Sequence, residues 1–540
     1  MAQKMKAGEA VIEILRQEGV SHIFGIVGSS FLDILDPLYD RTDVEFIGVR
    51  HEQGAALMAD GFGRISGKPG VVLVTNGPGV LNLTFGVGSA YVAHSPMIIL
   101  APSASREHQY RDSTQEFDQV ALFKPITKAC FPVNKIERLP DALRHAFRVA
   151  TSGKMGPVMV DIPRDLLPGG EVDLEMLPPD TYRSGQTRSR GDRNLIDKAA
   201  SVLLSAQRPV IVAGGGVQWS NAADEVTRMA DLIGAAITTS YGRADAVPND
   251  HPMYLGHLGR LGSEEGIEAV KQADVILAVG TRLVTSQWID GQKVIQIDVD
   301  PEEIGRHYEN TLRVEGDARL TMEDLLTALS SKTQAKADRT AEVAAQKTQR
   351  SEDIIKVEPQ GELLEAVRRA LPEDSILISG MTQLGYYSRA HYPVYEPRTF
   401  ITSSYSGNLG YAYPTALGAK VAQPDKAVVC LSGDGGFMFN SQEMSTAVAH
   451  NINVVVVVFN DNAYGNVKRD QMNQFNGRTI GADLHNPDFV KLAEAYGARG
   501  FLANGPAELE ATLKKALTLD APVLIEVPVG PMPSPFFKAP

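Results

Sequence analysis

Short apolar runs of strand length recur along the whole chain, each closed by a glycine or a polar turn and followed by a stretch with helical spacing. A strand followed by a helix, repeated, builds a mostly parallel sheet covered on both faces. In the first part of the chain, segments 22–27, 45–49, 70–75, 97–101 and 157–162 read as strands. Segments 7–18, 53–65 and 81–93 read as helices. A polar, proline-bearing stretch over 168–193 follows, and 171–193 reads as a linker.

The same alternation resumes with strands at 209–213, 275–279 and 294–297. It resumes again with strands at 376–378, 427–431, 454–459 and 522–527. Between these blocks, residues 330–353 are rich in Lys, Ala, Gln and Glu and read as a solvated helix or a linker. The expected organisation is three doubly wound α/β units, at residues 1–170, 194–329 and 354–540, which suits a length of 540 residues at about 150 per domain. The tail GPMPSPFFKAP reads as irregular chain lying across a surface or a site mouth.

Charge narrows the partners. Lys and Arg total 52 against 65 Asp and Glu, a formal net charge of −13. A chain this acidic is not expected to bind nucleic acid or an anionic membrane in general. Its two cysteines, Cys130 and Cys430, cannot form a disulfide framework, which suits a reducing, cytoplasmic setting. No segment approaches the ~20 apolar residues of a membrane span. The first twenty residues read as a helix rather than a signal.

The sharpest motif is Gly433-Asp434-Gly435, after the strand at 427–431 and before an expected helix at 441–450. Glycines let the backbone turn tightly and approach a ligand. Free N–H groups at a helix start suit a phosphate. Asp434 is a hard oxygen ligand for Mg²⁺ or Ca²⁺. A second oxygen-rich loop, Asn460-Asp461-Asn462-Ala463-Tyr464-Gly465, follows 24 residues after Gly435 (436 to 459). One helix and one strand fill that gap, so both loops reach the carboxyl edge of one sheet, where open α/β folds bind ligands. Two ordinary strand-to-helix loops are the plain alternative, and the paired spacing weighs against it.

This pair of loops, GDGGF…FNDNAYG, resembles the thiamine diphosphate signature of acetolactate synthase-like enzymes. The segments FGIVGSSFLDIL, RHEQGAALMADGFGR, TNGPGVLNL, AHSPMIIL and SGNLGYAYPTALGAK have counterparts there in the same order. The resemblance implies pyrimidine-binding, central and diphosphate-binding domains. It also implies thiamine diphosphate and Mg²⁺ as cofactors, and a homodimer or homotetramer with active sites between subunits. Glu52 matches the acid that hydrogen-bonds N1′ of the aminopyrimidine. Asp434, Asp461 and the carbonyl of Ala463 match the metal ligands, with Asp461 standing where the family usually has asparagine. Gly407 and Leu409 match the residues that hold the cofactor bent. Gly433, Gly435, Gly436, Gly465, Gln383 and Asn82 are further cofactor-site residues by position. Gln115 matches a retained catalytic-loop glutamine, and Ser29 is placed to face the reacting carbon. Plain readings stand beside these: Leu409 as core packing, Ser29 and Asn82 as helix caps.

What such a cofactor permits is loss of CO₂ from a small 2-oxo acid through a C2-ylide and an enamine, and then addition to a second carbonyl. The class implied is a transferase or lyase: decarboxylase and carboligase. Some positions depart from biosynthetic acetolactate synthase. Asp470 replaces a tryptophan, Thr114 replaces an aromatic residue, and Val27 replaces a proline. FGIVGS and Lys468-Arg469-Asp470-Gln471 look more like sulfoacetaldehyde acetyltransferase, so acetyl transfer to phosphate is an alternative, as is cleavage of a 2-hydroxyacyl-CoA. Lys468 and Arg469 would serve a phosphate or sulfonate, or stand as a solvated basic pair. A non-catalytic nucleotide-binding protein on the same fold is the distant alternative. Gly214-Gly215-Gly216 is not a dinucleotide fingerprint. The arginine-rich pattern of FAD-bearing relatives is absent after Gly280, so the weight is against FAD, with ADP or an empty central domain as the other readings.

Overall fold

The computed structural model of the chain describes residues 2–183, 188–259, 262–284, 288–330, 339–354 and 357–534, with backbone alone for 349–354. Three sheets of six parallel strands follow one another along it. In the first, the order is Glu45–Gly48, His22–Gly25, Gly70–Leu73, Met97–Ser103, Pro157–Pro163 and Ala129–Pro132. The second runs Tyr254–His257, Ala236–Thr239, Pro209–Ala213, Val275–Val279, Lys293–Asp298 and Thr311–Glu315. The third runs Phe400–Thr402, Ile376–Ser379, Val428–Gly433, Val455–Asn460, Val523–Pro528 and Arg499–Leu502. Their inner strands, such as Pro209–Ala213 and Val275–Val279, are buried at every position. Helices cover both faces, so these strands read as continuous apolar runs rather than alternating ones.

The sequence reading missed the strands Ala129–Pro132, Ala236–Thr239, Tyr254–His257, Thr311–Glu315, Phe400–Thr402 and Arg499–Leu502. All but Ala236–Thr239 are sheet edges. Thr311–Glu315 and Arg499–Leu502 are short and partly exposed, and charged residues within them dilute the signal. Two further strands correct the reading of the ends of the first unit. Ala2–Lys6, expected to open a helix, pairs antiparallel with Glu171–Glu175, inside the stretch read as linker. Glu171–Glu175 alternates, burying only Val172 and Leu174, and the charges between them conceal it. The expected helix at 81–93 is two helices, Pro78–Asn82 and Thr84–Ala93. After the third-sheet strand ending at Gly433, a short helix starts at Asp434 itself, and the longer one is Glu443–Ala449. Of the Lys/Ala/Gln/Glu-rich stretch, residues 340–354 are helical, and residues 331–338 lie outside the described residues.

The first and third units share one apolar cluster, while the central unit has its own. At the seam, helix Glu52–Ser66 packs on helix Ala412–Ala422. Both helices are rich in alanine and glycine. Small residues let the two backbones approach closely. A Cβ on Gly61 would overlap the carbonyl of Thr415, and one on Gly418 would overlap the carbonyl of Met58.

Candidate active site

The carboxyl ends of the third sheet open into a cavity of about 210 Å³. Gln383, Gly407, Leu409, Gly433, Asp434, Gly435, Gly436, Asp461, Ala463 and Gly465 all line it. Parallel topology brings them together, because every strand-to-helix loop of a parallel sheet leaves from the same edge. Gly407 takes a left-handed conformation, φ 61°, at the end of the 3₁₀ turn Ser404–Ser406 and turns the chain into Leu409. Glycine adopts that conformation without the steric cost a side chain meets.

Asp434 is 2% exposed. Burial pushes its carboxyl above the usual carboxylate range, opposed by hydrogen bonds that include one from Asn486 Nδ2 at 2.7 Å. Burial and then the neighbouring charge of Asp434 push Asp461 up to about 6. Asp461 Oδ1 accepts from the backbone N–H of Ala463 at 3.2 Å. Gly465 leaves room for its other oxygen: a Cβ there would overlap Asp461 Oδ2. The buried Asp434 and half-buried Asp461 carboxyls, both pushed up, stand beside the backbone of Ala463 and fit a divalent cation, whose charge would offset both. Among the described residues no three His, Cys, Asp or Glu side chains gather to hold a metal, so such an ion needs backbone or phosphate oxygens as well. The neighbours Asn460 and Asn462 do not line the cavity. Asn460 instead donates through Nδ2 to Glu526 Oε1 at 2.8 Å.

Glu52, Asn82, Ser29 and Gln115 do not line this cavity. Glu52 opens helix Glu52–Ser66 at the carboxyl end of the first sheet and is 8% exposed. Asn82 Nδ2 donates to Glu52 Oε2 at 2.9 Å. His51 caps the helix, its Nδ1 accepting from Gln53 N at 3.1 Å. Gln115 has an exposed side chain and a left-handed backbone, φ 62°, and its carbonyl accepts from Asn76 Nδ2 at 3.0 Å. Ser29 is exposed, whereas Ser30 is buried with its hydroxyl 3.0 Å from that of Thr75.

The basic pair is engaged elsewhere. Lys468 pairs with Asp483. Arg469 donates to Gln383 Oε1 at 3.0 Å and to the carbonyls of Met532 at 3.2 Å and Pro533 at 3.3 Å. Arg469 thereby ties the start of the tail to the cavity wall, where Val529 and Met532 also lie. Residues 535–540 of the tail lie outside the described residues.

Sequence reasoning did not single out Asn486 or Glu443. Asn486 Nδ2 lies 2.7 Å from Asp434 Oδ2, 3.0 Å from Asn460 Oδ1 and 3.3 Å from Asn462 Oδ1, and so holds the loops after two neighbouring strands in register. It stands 52 residues from Asp434, with no local signal. Glu443 is fully buried and lies nine residues after Asp434, where an acid at a helix start passes for a dipole partner.

A second cavity, of about 520 Å³, lies at the carboxyl edge of the central sheet. Gly215, Gly216, Gly280, Thr281, Arg282 and Asp298 are among its lining residues. The Arg282 guanidinium stacks over the Tyr405 ring, 4.8 Å from its centroid.

Three family profiles match the chain in sequence. Residues 5–122 match "Thiamine pyrophosphate enzyme, N-terminal TPP binding domain". Residues 196–325 match the central domain of the same family, and residues 380–527 match its C-terminal TPP binding domain. The chain is 36% identical to a "Probable acetolactate synthase large subunit" of Methanocaldococcus jannaschii, over 98% of this chain and 92% of that one. It is 34% identical to an "Acetolactate synthase large subunit" of Haemophilus influenzae, over 96% and 93%. It is 32% identical to a "Sulfoacetaldehyde acetyltransferase" of Castellaniella defragrans, over 95% and 91%.

Proposed function

Because this chain belongs to the thiamine pyrophosphate enzyme family, of the acetolactate synthase and sulfoacetaldehyde acetyltransferase type, we propose that it decarboxylates a small 2-oxo acid and joins the remaining fragment to a second carbonyl. The observation that carries this reading is the buried Glu52 carboxyl group held by Asn82 at 2.9 Å, on a chain with a cavity that gathers Asp434, Asp461 and Gly407. Bound thiamine diphosphate supplies an electron sink beside the substrate carbonyl. Glu52 holds and returns a proton at the aminopyrimidine ring, and Asn82 fixes which carboxylate oxygen is free to do so. Asp434, Asp461 and the Ala463 backbone would hold Mg²⁺ for the diphosphate. Gln383, Gly433, Gly435, Gly436 and Gly465 shape the wall for it. Gly407 and Leu409, which line the cavity, would hold the cofactor bent.

Glu52 does not line the Asp434 cavity of its own chain, and we propose that the two meet across two copies in a homodimer or a pair of dimers. Gln115 and Ser29, exposed on a single chain, then face the shared cleft. A second reading, acetyl transfer from sulfoacetaldehyde to phosphate, is favoured by Asp470 and Val27, which depart from the acetolactate synthase pattern. For the central cavity the proposal is a domain that carries no FAD. A flavin absorbance band in the purified protein would overturn it.

The test is a substrate panel with product identification, including pyruvate, sulfoacetaldehyde and phosphate, run with thiamine diphosphate and Mg²⁺. CO₂ release from pyruvate that is lost in Glu52→Gln supports the reading. Release unaffected by that substitution overturns it.

A further inference from the structure

Strand Glu45–Gly48 is an edge of the first sheet, and the chain beyond it runs through Val49, Arg50 and His51 into Glu52. Backbone donors on an outer edge ordinarily face water or a partner strand. Here they face helix Glu443–Ala449 of the third unit. His450 Nε2 accepts from Gly48 N at 3.1 Å. Glu443 Oε1 accepts from Arg50 N at 3.2 Å and from His51 N at 3.0 Å, and Glu443 Oε2 accepts from Arg50 N at 3.1 Å. Thr446 Oγ1 donates to Glu443 Oε2 at 2.7 Å. The carboxylate sits where a Cβ on Gly54 would stand, 2.7 Å from Glu443 Oε1. One residue further on, Gln53 Nε2 donates to Asn440 Oδ1 at 3.2 Å, and Asn440 Nδ2 donates to the carbonyl of Gly410 at 2.7 Å.

We propose that Glu443 is a positioning residue for Glu52: its buried carboxylate fixes the two residues that precede Glu52, and with them the point at which the helix starts. The inference rests on the reading of Glu52 given above. Three backbone bonds and the Thr446 hydroxyl converge on this one carboxyl group, and hydrogen bonds of this kind are directional. Arg50 and His51 cannot turn without breaking them, so the first helical residue keeps one orientation. A misplacement of about 1 Å at a reacting group can cost on the order of a hundredfold in rate. Glu443 also belongs to the segment that begins at Asp434. The segment that supplies a proposed metal ligand at one end therefore sets the position of the proposed proton-relay acid at the other.

The experiment uses the full chain and two readouts. In cofactor-free protein, amide hydrogen exchange of the peptide spanning residues 48–53 reports the clamp itself. With thiamine diphosphate and Mg²⁺ bound, exchange of the cofactor's C2 proton with D₂O reports the action of Glu52. Glu443→Gln keeps the size but removes the acid and turns Oε2, which accepts from Arg50 N and Thr446 Oγ1, into a donor. It is expected to lower amide protection and to slow C2 exchange by about tenfold each, with cofactor affinity within about threefold. His450→Ala removes a contact to the same strand further from Glu52. It is expected to lower thermal stability and leave C2 exchange within about twofold. Glu52→Gln tests the underlying reading: if it leaves C2 exchange intact, that reading falls. If Glu52→Gln slows exchange and Glu443→Gln does not, the positioning role is overturned. Equal slowing in His450→Ala would overturn it too, since a general effect of the interface would then suffice. Should Glu443→Gln fail to fold, Thr446→Val removes the hydroxyl that orients the carboxylate. Severalfold slower C2 exchange in that variant supports the proposal, and wild-type exchange overturns it.

Discussion

The carboxylate of Asp461 lies over Gly465 so closely that a methyl group built on the glycine would overlap Asp461 Oδ2. Gly465→Ala should therefore displace the carboxylate without disturbing the sheet. The expected outcome is a loss of Mg²⁺-dependent thiamine diphosphate binding of about tenfold or more, with about 1.4 kcal/mol for each factor of ten. Titration calorimetry with and without Mg²⁺ measures it. Thermal stability of the cofactor-free protein should stay near that of the wild type.

Asn82 holds one oxygen of Glu52 at 2.9 Å. Hydrogen bonds to a charged group contribute about 1.5–3 kcal/mol. Asn82→Ala should lower kcat by about ten- to a hundredfold while KM changes little, because the substitution acts on the proton-holding group. Steady-state kinetics with the best substrate of the panel checks the split.

Gly61 and Gly418 let helices Glu52–Ser66 and Ala412–Ala422 meet backbone to backbone. Alanine at Gly418 pushes on the carbonyl of Met58, which cannot rotate away. Overpacking of this kind costs about 1–3 kcal/mol. The expected result for Gly418→Ala is a clear drop in the thermal midpoint, read by scanning calorimetry, together with weaker cofactor retention.

Asp161 lies buried on the strand Pro157–Pro163, where burial pushes its carboxyl up to about 6. The unfolded chain releases this proton near pH 4, at the ordinary carboxylate value. Between these values the folded state binds the extra proton, so stability falls as pH rises from about 4 to about 6 and stays reduced above that. The penalty is on the order of 3 kcal/mol at most, after a shift of about two pH units. Asp161→Asn should flatten the dependence over that window and stabilise the protein at pH 8. Denaturant midpoints across the pH range decide it.

Glu52 does not line the cavity that holds Asp434, and the proposed shared site has a direct check. Glu52→Gln and Asp434→Ala should each be inactive alone. Mixed and refolded together, they should regain activity, because a mixed dimer pairs one intact first domain with one intact third domain. Recovery absent from a mixture shown to contain mixed dimers would argue that each chain works alone.

Much of the fold was legible because the signals are local. Runs such as Val455–Phe459 and the loops after them declare a buried parallel strand within a few residues. Edge strands such as Thr311–Glu315 and Arg499–Leu502 were not legible, since short, half-wet segments resemble loops. The half of the candidate site carried by the third sheet was legible for the same local reason: its residues sit in loops at one edge. Asn486 was not, because nothing near it in the chain marks its approach to Asp434.

The sequence by itself determined three α/β units, a net acidic chain, and two loops at one sheet edge whose residues line a common cavity. Those properties follow from periodicity, charge and loop chemistry, which act over a few residues. Only the tertiary structure decided that Arg469 pins the tail rather than facing the cavity, and that Glu443 holds the turn before Glu52. Glu443 and His51 are 392 residues apart, and their contact exists only because two glycine-bearing helices bring the first and third sheets onto one core. Such a pairing depends on how surfaces fit, and no stretch of either segment carries that information alone.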